Sequence, residues 1–80
     1  MLEIDYDLEN GGWQSPKIVP NEPFTISPAN ATLHYSIECF EGAKAYKTVD
    51  DEVIMFRIDE NFRRMNNSHI QLGIPTFDVP

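Results

Sequence analysis

At 80 residues, with 13 acidic side chains against 6 basic ones and a formal charge of −7, the chain makes at most one small domain. It has no basic stripe to meet a phosphate backbone, which excludes a nucleic-acid binder of the usual electrostatic kind. No apolar run approaches the ~18 residues that a membrane span needs, and the opening MLEIDYD is acidic where a targeting segment would be basic.

The expectation is therefore a cytoplasmic chain with neither a membrane nor a nucleic acid as partner. Cys39 is the sole cysteine, so no internal disulfide is available, and it reads as a small buried apolar residue. A chain this short buries only about 60–65% of its unfolded surface, so its stability is expected to be marginal.

Leu2, Ile4, Tyr6 and Leu8 alternate with Glu3, Asp5, Asp7 and Glu9. Strict period two predicts one strand with an apolar and an acidic face. Asn10-Gly11-Gly12 then turns the chain. From Trp13 to about Asn30 the prolines Pro16, Pro20, Pro23 and Pro28 rule out a helix and leave short extended pieces. FTIS, residues 24–27, reads as one such piece, and Pro28-Ala29-Asn30 as a turn.

Residues 34–46, HYSIECFEGAKAY, crowd Tyr35, Phe40, Gly42, Lys44 and Tyr46 into what reads as an ordinary strand. Residues 39–48 are predicted as one arm of a hairpin and residues 53–57 as the other, joined by the polar 48–52. VIMFR is nearly continuously apolar, so both faces of that arm are expected to be covered. A helix is predicted over 59–72, capped by Asp59, with Glu60 in its first turn and Gly73 with Pro75 ending it. Phe62, Met65, His69 and Leu72 recur at helical spacing and should face a core, beside a polar stripe of Asn61, Arg64 and Ser68. Asp78 then has the chemistry of a further helix cap, and Ile74, Phe77 and Val79 lack a downstream partner. The fold class that results is α+β: antiparallel strands, a hairpin and one main helix.

Read in order, GW, PKI, LHYSIECFEGAKAYKT, FRIDENFRRMNNS and IPTFD resemble the N-terminal region of the branched-chain amino acid aminotransferases, pyridoxal-phosphate enzymes of fold type IV. The likeness runs from Met1 to Asp78 and is greatest to the eukaryotic-type branch. It implies an incomplete small domain over residues 1–80, with the large cofactor-binding domain absent. It also implies pyridoxal 5'-phosphate as cofactor, leucine, isoleucine or valine as amino donor, 2-oxoglutarate as acceptor, and a homodimer at full length. In this family the tyrosine of His-Tyr and the phenylalanine of Phe-Glu-Gly line the side-chain pocket, which points to Tyr35 and Phe40. The arginine before methionine holds the cofactor phosphate, which points to Arg64. Gly42, Lys44 and Tyr46 follow as candidates at the substrate entrance.

Those residue types suit the roles. A branched aliphatic substrate needs a dry aromatic wall, and an arginine presents a planar fork to phosphate. Read from the residues alone, Tyr35 and Phe40 are simple core aromatics, Lys44 a solvated lysine, and Arg63 a partner for Asp59 or Glu60 at helical spacing. The family's Schiff-base lysine has no counterpart, because Lys17, Lys44 and Lys47 lie in no matching motif. The 80 residues by themselves are expected to be inactive. A mitochondrial address follows instead of a cytoplasmic one if an upstream targeting segment is missing. The competing reading is a non-catalytic acidic binding module derived from the same fold.

Overall fold

A computed structural model describes all 80 residues. They fall into two units, Met1–Asn30 and Ala31–Pro80, each taken by itself below.

In the first unit the alternating segment is not one strand. It forms β1 (Leu2–Glu3) and β2 (Tyr6–Asp7), which pair antiparallel with β4 (Lys17–Ile18) and β3 (Gly12–Trp13). The register explains the interruption. Glu3 faces Lys17 and Tyr6 faces Trp13, so Ile4 and Asp5 stand opposite Gln14, Ser15 and Pro16. That extra residue makes a bulge, and Pro16 has no N–H to offer a ladder. Pairing across the break survives through Gln14 N–H to Asp5 O at 2.8 Å.

The turn at residues 7–12 is held by the Asp7 carboxylate, which accepts from Glu9 N at 3.0 Å and from Asn10 Nδ2 at 2.5 Å. The Asn10 side chain is the main cause that holds Asp7 below the usual carboxylate range. Gly12, at φ 91°, lies against the Tyr6 ring, whose edge packs on Trp13 at 5.1 Å between ring centres. Part of the acidic face is matched locally, since Lys17 stands opposite Glu3 and 3.8 Å from Asp5. FTIS forms no strand, whereas the turn at Pro28-Ala29 is present, closed by Asn30 N–H to Ser27 O.

The second unit begins with α1 (Ala31–Tyr35), so His34 and Tyr35 open no strand. This short helix ends at Ser36, at φ 52°, whose N–H still reaches Thr32 O at 3.1 Å. Residues 36–44 are irregular, and the first hairpin arm is only β5 (Ala45–Lys47). It pairs with β6 (Val53–Met55) in the register Ala45 to Met55 and Lys47 to Val53. Thr48 N–H to Glu52 O closes the loop, in which Asp51 takes the left-handed conformation at φ 67°. Asp51 and Lys47 meet at 2.7 Å.

Helix α2 (Ile58–Leu72) is the main element. Its start differs from expectation. Arg57, in the left-handed region at φ 50°, occupies the cap position without a side-chain cap. Asp59 lies inside the first turn, past the cap position, and accepts from Arg63 at 2.6 Å. Asp59 and Glu60 nevertheless place negative charge where the helix dipole favours it. The predicted stop holds. Gly73, at φ 70°, donates to Ile70 O, while Ile74 N–H reaches back to His69 O at 2.9 Å, closing a Schellman turn.

Neither unit buries an apolar side chain. The arm 53–57 is not covered, since Val53, Ile54, Met55 and Phe56 are all more than half exposed. Of the expected core stripe only His69 is buried; Met65 is half-buried, and Phe62 and Leu72 lie at the edge of exposure. Cys39 is half-buried, not buried. The one place where packing gathers is the end of α2. There Phe77 returns onto the helix, so it does have a partner. Its ring meets Phe62 at 6.2 Å and His69 at 5.6 Å, both edge-on. No helix of the structure is long and apolar enough to cross a membrane.

Candidate functional site

The Phe-Glu-Gly turn and the helix that carries Arg64 are joined through Glu41. Arg64 donates Nε to Glu41 Oε2 at 2.7 Å and Nη2 to Glu41 Oε1, so the pair is bidentate. Asn61, one turn earlier on the same face, donates Nδ2 to Glu41 Oε1 at 3.1 Å and to Gly42 O at 2.6 Å. Gly42 N–H closes the set by donating to Glu41 Oε1 at 2.9 Å. The expected stripe of Asn61, Arg64 and Ser68 is real: Ser68 Oγ donates to Arg64 O at 3.3 Å, and the other two grip one carboxylate.

The electrostatics follow from this geometry. The Glu41 side chain is 9% exposed, covered by its immediate partners in otherwise thin structure. Hydrogen bonding from Arg64 is the largest influence and brings the Glu41 carboxyl down to about 2, against the opposing effect of burial, with Asn61, the Arg64 charge and Gly42 N–H assisting. Reciprocally, Arg64 is raised by its hydrogen bond to Glu41. Arg64 itself remains 68% exposed. Carboxylate on the Nε–Nη2 edge leaves the second Nη2 hydrogen and both Nη1 hydrogens of the fork free to donate. Arg64 also lines a shallow open depression together with Asn67, Ser68, Ile70 and Gln71. Arg63, in contrast, is committed to Asp59 at 2.6 Å and Glu60 at 2.5 Å, the helical pairing expected for it.

The other candidates are distributed differently. Tyr35 sits at the end of α1 and is 78% exposed. Phe40 is 94% exposed in the irregular segment, so neither ring is a core aromatic in this unit. Gly42 has open space where a Cβ would be. Lys44 is exposed just before β5, and Tyr46 lies within it, 54% exposed. Structure thus brings Gly42 and Arg64 together, through Glu41 and Asn61, and leaves Tyr35, Phe40 and Lys44 in solvent. Glu41 had been given no role by sequence reasoning. Its signal was an acid inside the Phe-Glu-Gly motif with an arginine 23 positions on, a separation that no helical or strand rule connects.

No family model matches the chain. Curated relatives do, over nearly all of it. A probable branched-chain-amino-acid aminotransferase of Staphylococcus epidermidis is 53% identical over 78 residues, 98% of this chain and 21% of the relative. The cytosolic branched-chain-amino-acid aminotransferase of Saccharomyces cerevisiae is 44% identical over 98% of the chain and 20% of its own length. Branched-chain-amino-acid transaminase 1 of Bacillus subtilis is 41% identical over 98% and 22%.

The chain is thus similar, over nearly its whole length, to the N-terminal part of proteins named branched-chain aminotransferases. The chain spans about a fifth of the length of the relatives it matches, at their N-terminal end. Identity to the staphylococcal relative exceeds that to the yeast one, so the likeness does not single out a eukaryotic branch of these aminotransferases. The α+β arrangement of three antiparallel strand pairs, one main helix and one short helix is consistent with an N-terminal aminotransferase domain.

Proposed function

We propose that the chain serves as the N-terminal part of a pyridoxal-phosphate enzyme that moves the amino group of leucine, isoleucine or valine to 2-oxoglutarate. The observation that carries this is the 41–53% identity to branched-chain aminotransferases over 98% of the chain. When bound, the cofactor supplies the electron sink for transamination. These residues contribute binding to it. Arg64 holds the phosphate, and the donor set suits that role: a charged, exposed fork with an unused edge, next to the amide of Asn67.

Tyr35 and Phe40 form the apolar wall for the substrate side chain. Their exposure fits surfaces that face further structure, since large rings left in water gain most when covered. Gly42 lets a ligand or backbone approach closely, and Lys44 and Tyr46 stand at the entrance. The enzyme is a homodimer on this reading and works in the cytoplasm. The 80 residues on their own lack the cofactor-anchoring lysine and do not transaminate.

The test is to exchange these 80 residues for the matching N-terminal fifth of the staphylococcal relative and assay glutamate formation from leucine and 2-oxoglutarate. Transamination is expected. In that protein Arg64→Ala should lower cofactor retention on dialysis by about ten- to a hundredfold, the scale of one or two charge-assisted hydrogen bonds. Arg63→Ala, about 100° round the helix, should change it far less. An inactive exchange protein that folds and binds no pyridoxal phosphate overturns the reading and favours a non-catalytic module. Equal retention in the two arginine variants overturns the phosphate assignment.

A further inference from the structure

We infer that Glu41 is a positioning residue: by clamping the Nε–Nη2 edge of Arg64, it presents the opposite edge of the guanidinium to a phosphate group. This rests on the reading of Arg64 as the phosphate donor. An exposed arginine samples many rotamers, and fixing it to receive a ligand costs binding energy unless something else has already fixed it. Here two hydrogen bonds to one carboxylate set both the position and the plane of the guanidinium. The carboxylate is in turn immobilised. Asn61 and the Gly42 N–H hold Oε1, and Asn61 also holds Gly42 O, so the turn and the helix move together.

The chemistry of the fork completes the case. A guanidinium can bind two anions on two edges, and a carboxylate on the side edge leaves the end edge intact. Arg64 is 68% exposed although its Nε–Nη2 edge is occupied by Glu41, which is itself only 9% exposed. Asn67 and Ser68 line the same depression as Arg64. The Glu41 charge opposes an arriving dianion, and the inference is that fixed orientation outweighs that screened repulsion. The sign of the effect is therefore open to measurement, since orientation and repulsion predict opposite results for the same substitution.

The experiment follows the Arg64 Nε–H resonance by NMR in the cofactor-free exchange protein described above, while inorganic phosphate is titrated. The His69–Phe77 ring contact, on the far part of α2, reports whether the unit remains folded. The parent should show a sharp Nε–H signal that shifts saturably. Glu41→Gln keeps size and loses charge; it should broaden that signal and weaken phosphate binding roughly three- to tenfold, the scale of one newly mobile long side chain. A parent whose Arg64 does not respond to phosphate overturns the phosphate reading, and the positioning role with it. A parent that responds, with Glu41→Gln responding equally or more strongly, overturns the positioning role and leaves the phosphate reading standing. If Glu41→Gln loses the ring contact, Asn61→Ala decides, because it frees the carboxylate without removing its charge. Weaker phosphate binding in that variant supports the inference, and unchanged binding overturns it.

Discussion

Replacing Asn66 by alanine should release residues 74–79 from α2. The Asn66 side chain clasps the backbone of Phe77 from both ends: Nδ2 donates to Phe77 O at 2.7 Å, and Oδ1 accepts from Phe77 N–H at 3.1 Å. Both bonds are part-buried, so each contributes about 0.5–1.5 kcal/mol net, and their joint loss is about 1–3 kcal/mol. That lowers the docked fraction of the tail relative to the free fraction by roughly 5- to 150-fold. Two edge-on ring contacts of Phe77 remain, each contributing about 0.5–1.5 kcal/mol, a modest return against the ordering entropy of a six-residue segment.

The carbonyl of Pro75, 2.7 Å from His69 Nδ1, is a further tether. A carbonyl can only accept, so the His69 ring proton lies on Nδ1 and is shared in this bond. The assay is NMR of the chain: amide exchange at Phe77 and nuclear Overhauser contacts between the rings of Phe77 and His69. Both should be lost in Asn66→Ala. Asn66→Asp should fall at least as far, because a second acceptor then faces Phe77 O. Unchanged exchange at Phe77 in the alanine variant would refute the reasoning, since it would mean that ring packing and the His69 bond suffice.

Other outcomes follow from the same geometry. Gly73→Ala should fray the last turn of α2 at a cost of about 1 kcal/mol or somewhat more, since the left-handed φ of 70° is the difficulty and the space around it is open. Amide exchange at Ile74 would report it, with Gly73→Asn less affected. The folded Glu41 carboxyl, at about 2, lies below its ordinary value of 4.5, so its link to Arg64 stabilises the folded unit above that value and is lost as pH falls from 4.5 toward 2. The Arg64 Nε–H signal should weaken across that acid window and remain constant at neutral pH, while in Glu41→Gln the acid step should be absent.

Neither unit buries an apolar side chain, so the chain has little core to hold it cooperatively. Taken alone it should melt broadly and associate, which sedimentation and calorimetry over a range of concentrations would check. A sharp, concentration-independent transition of a monomer would count against it.

Local chemistry was legible from the residues. The extent of α2, the glycine that ends it, the acidic first turn and the stripe of Asn61, Arg64 and Ser68 all depend on contacts within four positions, which sequence spacing specifies directly. The hairpin over 45–55 was legible for the same reason, with its loop at 48–52 as expected and its arms shorter, 45–47 in place of 39–48 and 53–55 in place of 53–57. The order of motifs also carried the family. Tertiary structure decided what depends on distant partners. It split the first alternating segment, because Pro16 and one surplus residue on the opposite strand cannot be seen from period two alone. It assigned the helix cap to Arg57 and placed Asp59 inside the first turn, where it accepts from Arg63. It left VIMFR and Phe40 in water, because burial depends on how much structure is present to cover a residue and hydrophobicity states only a preference. And it joined Glu41 to Arg64 across 23 positions, a contact made by the fold of the chain and written in no local period.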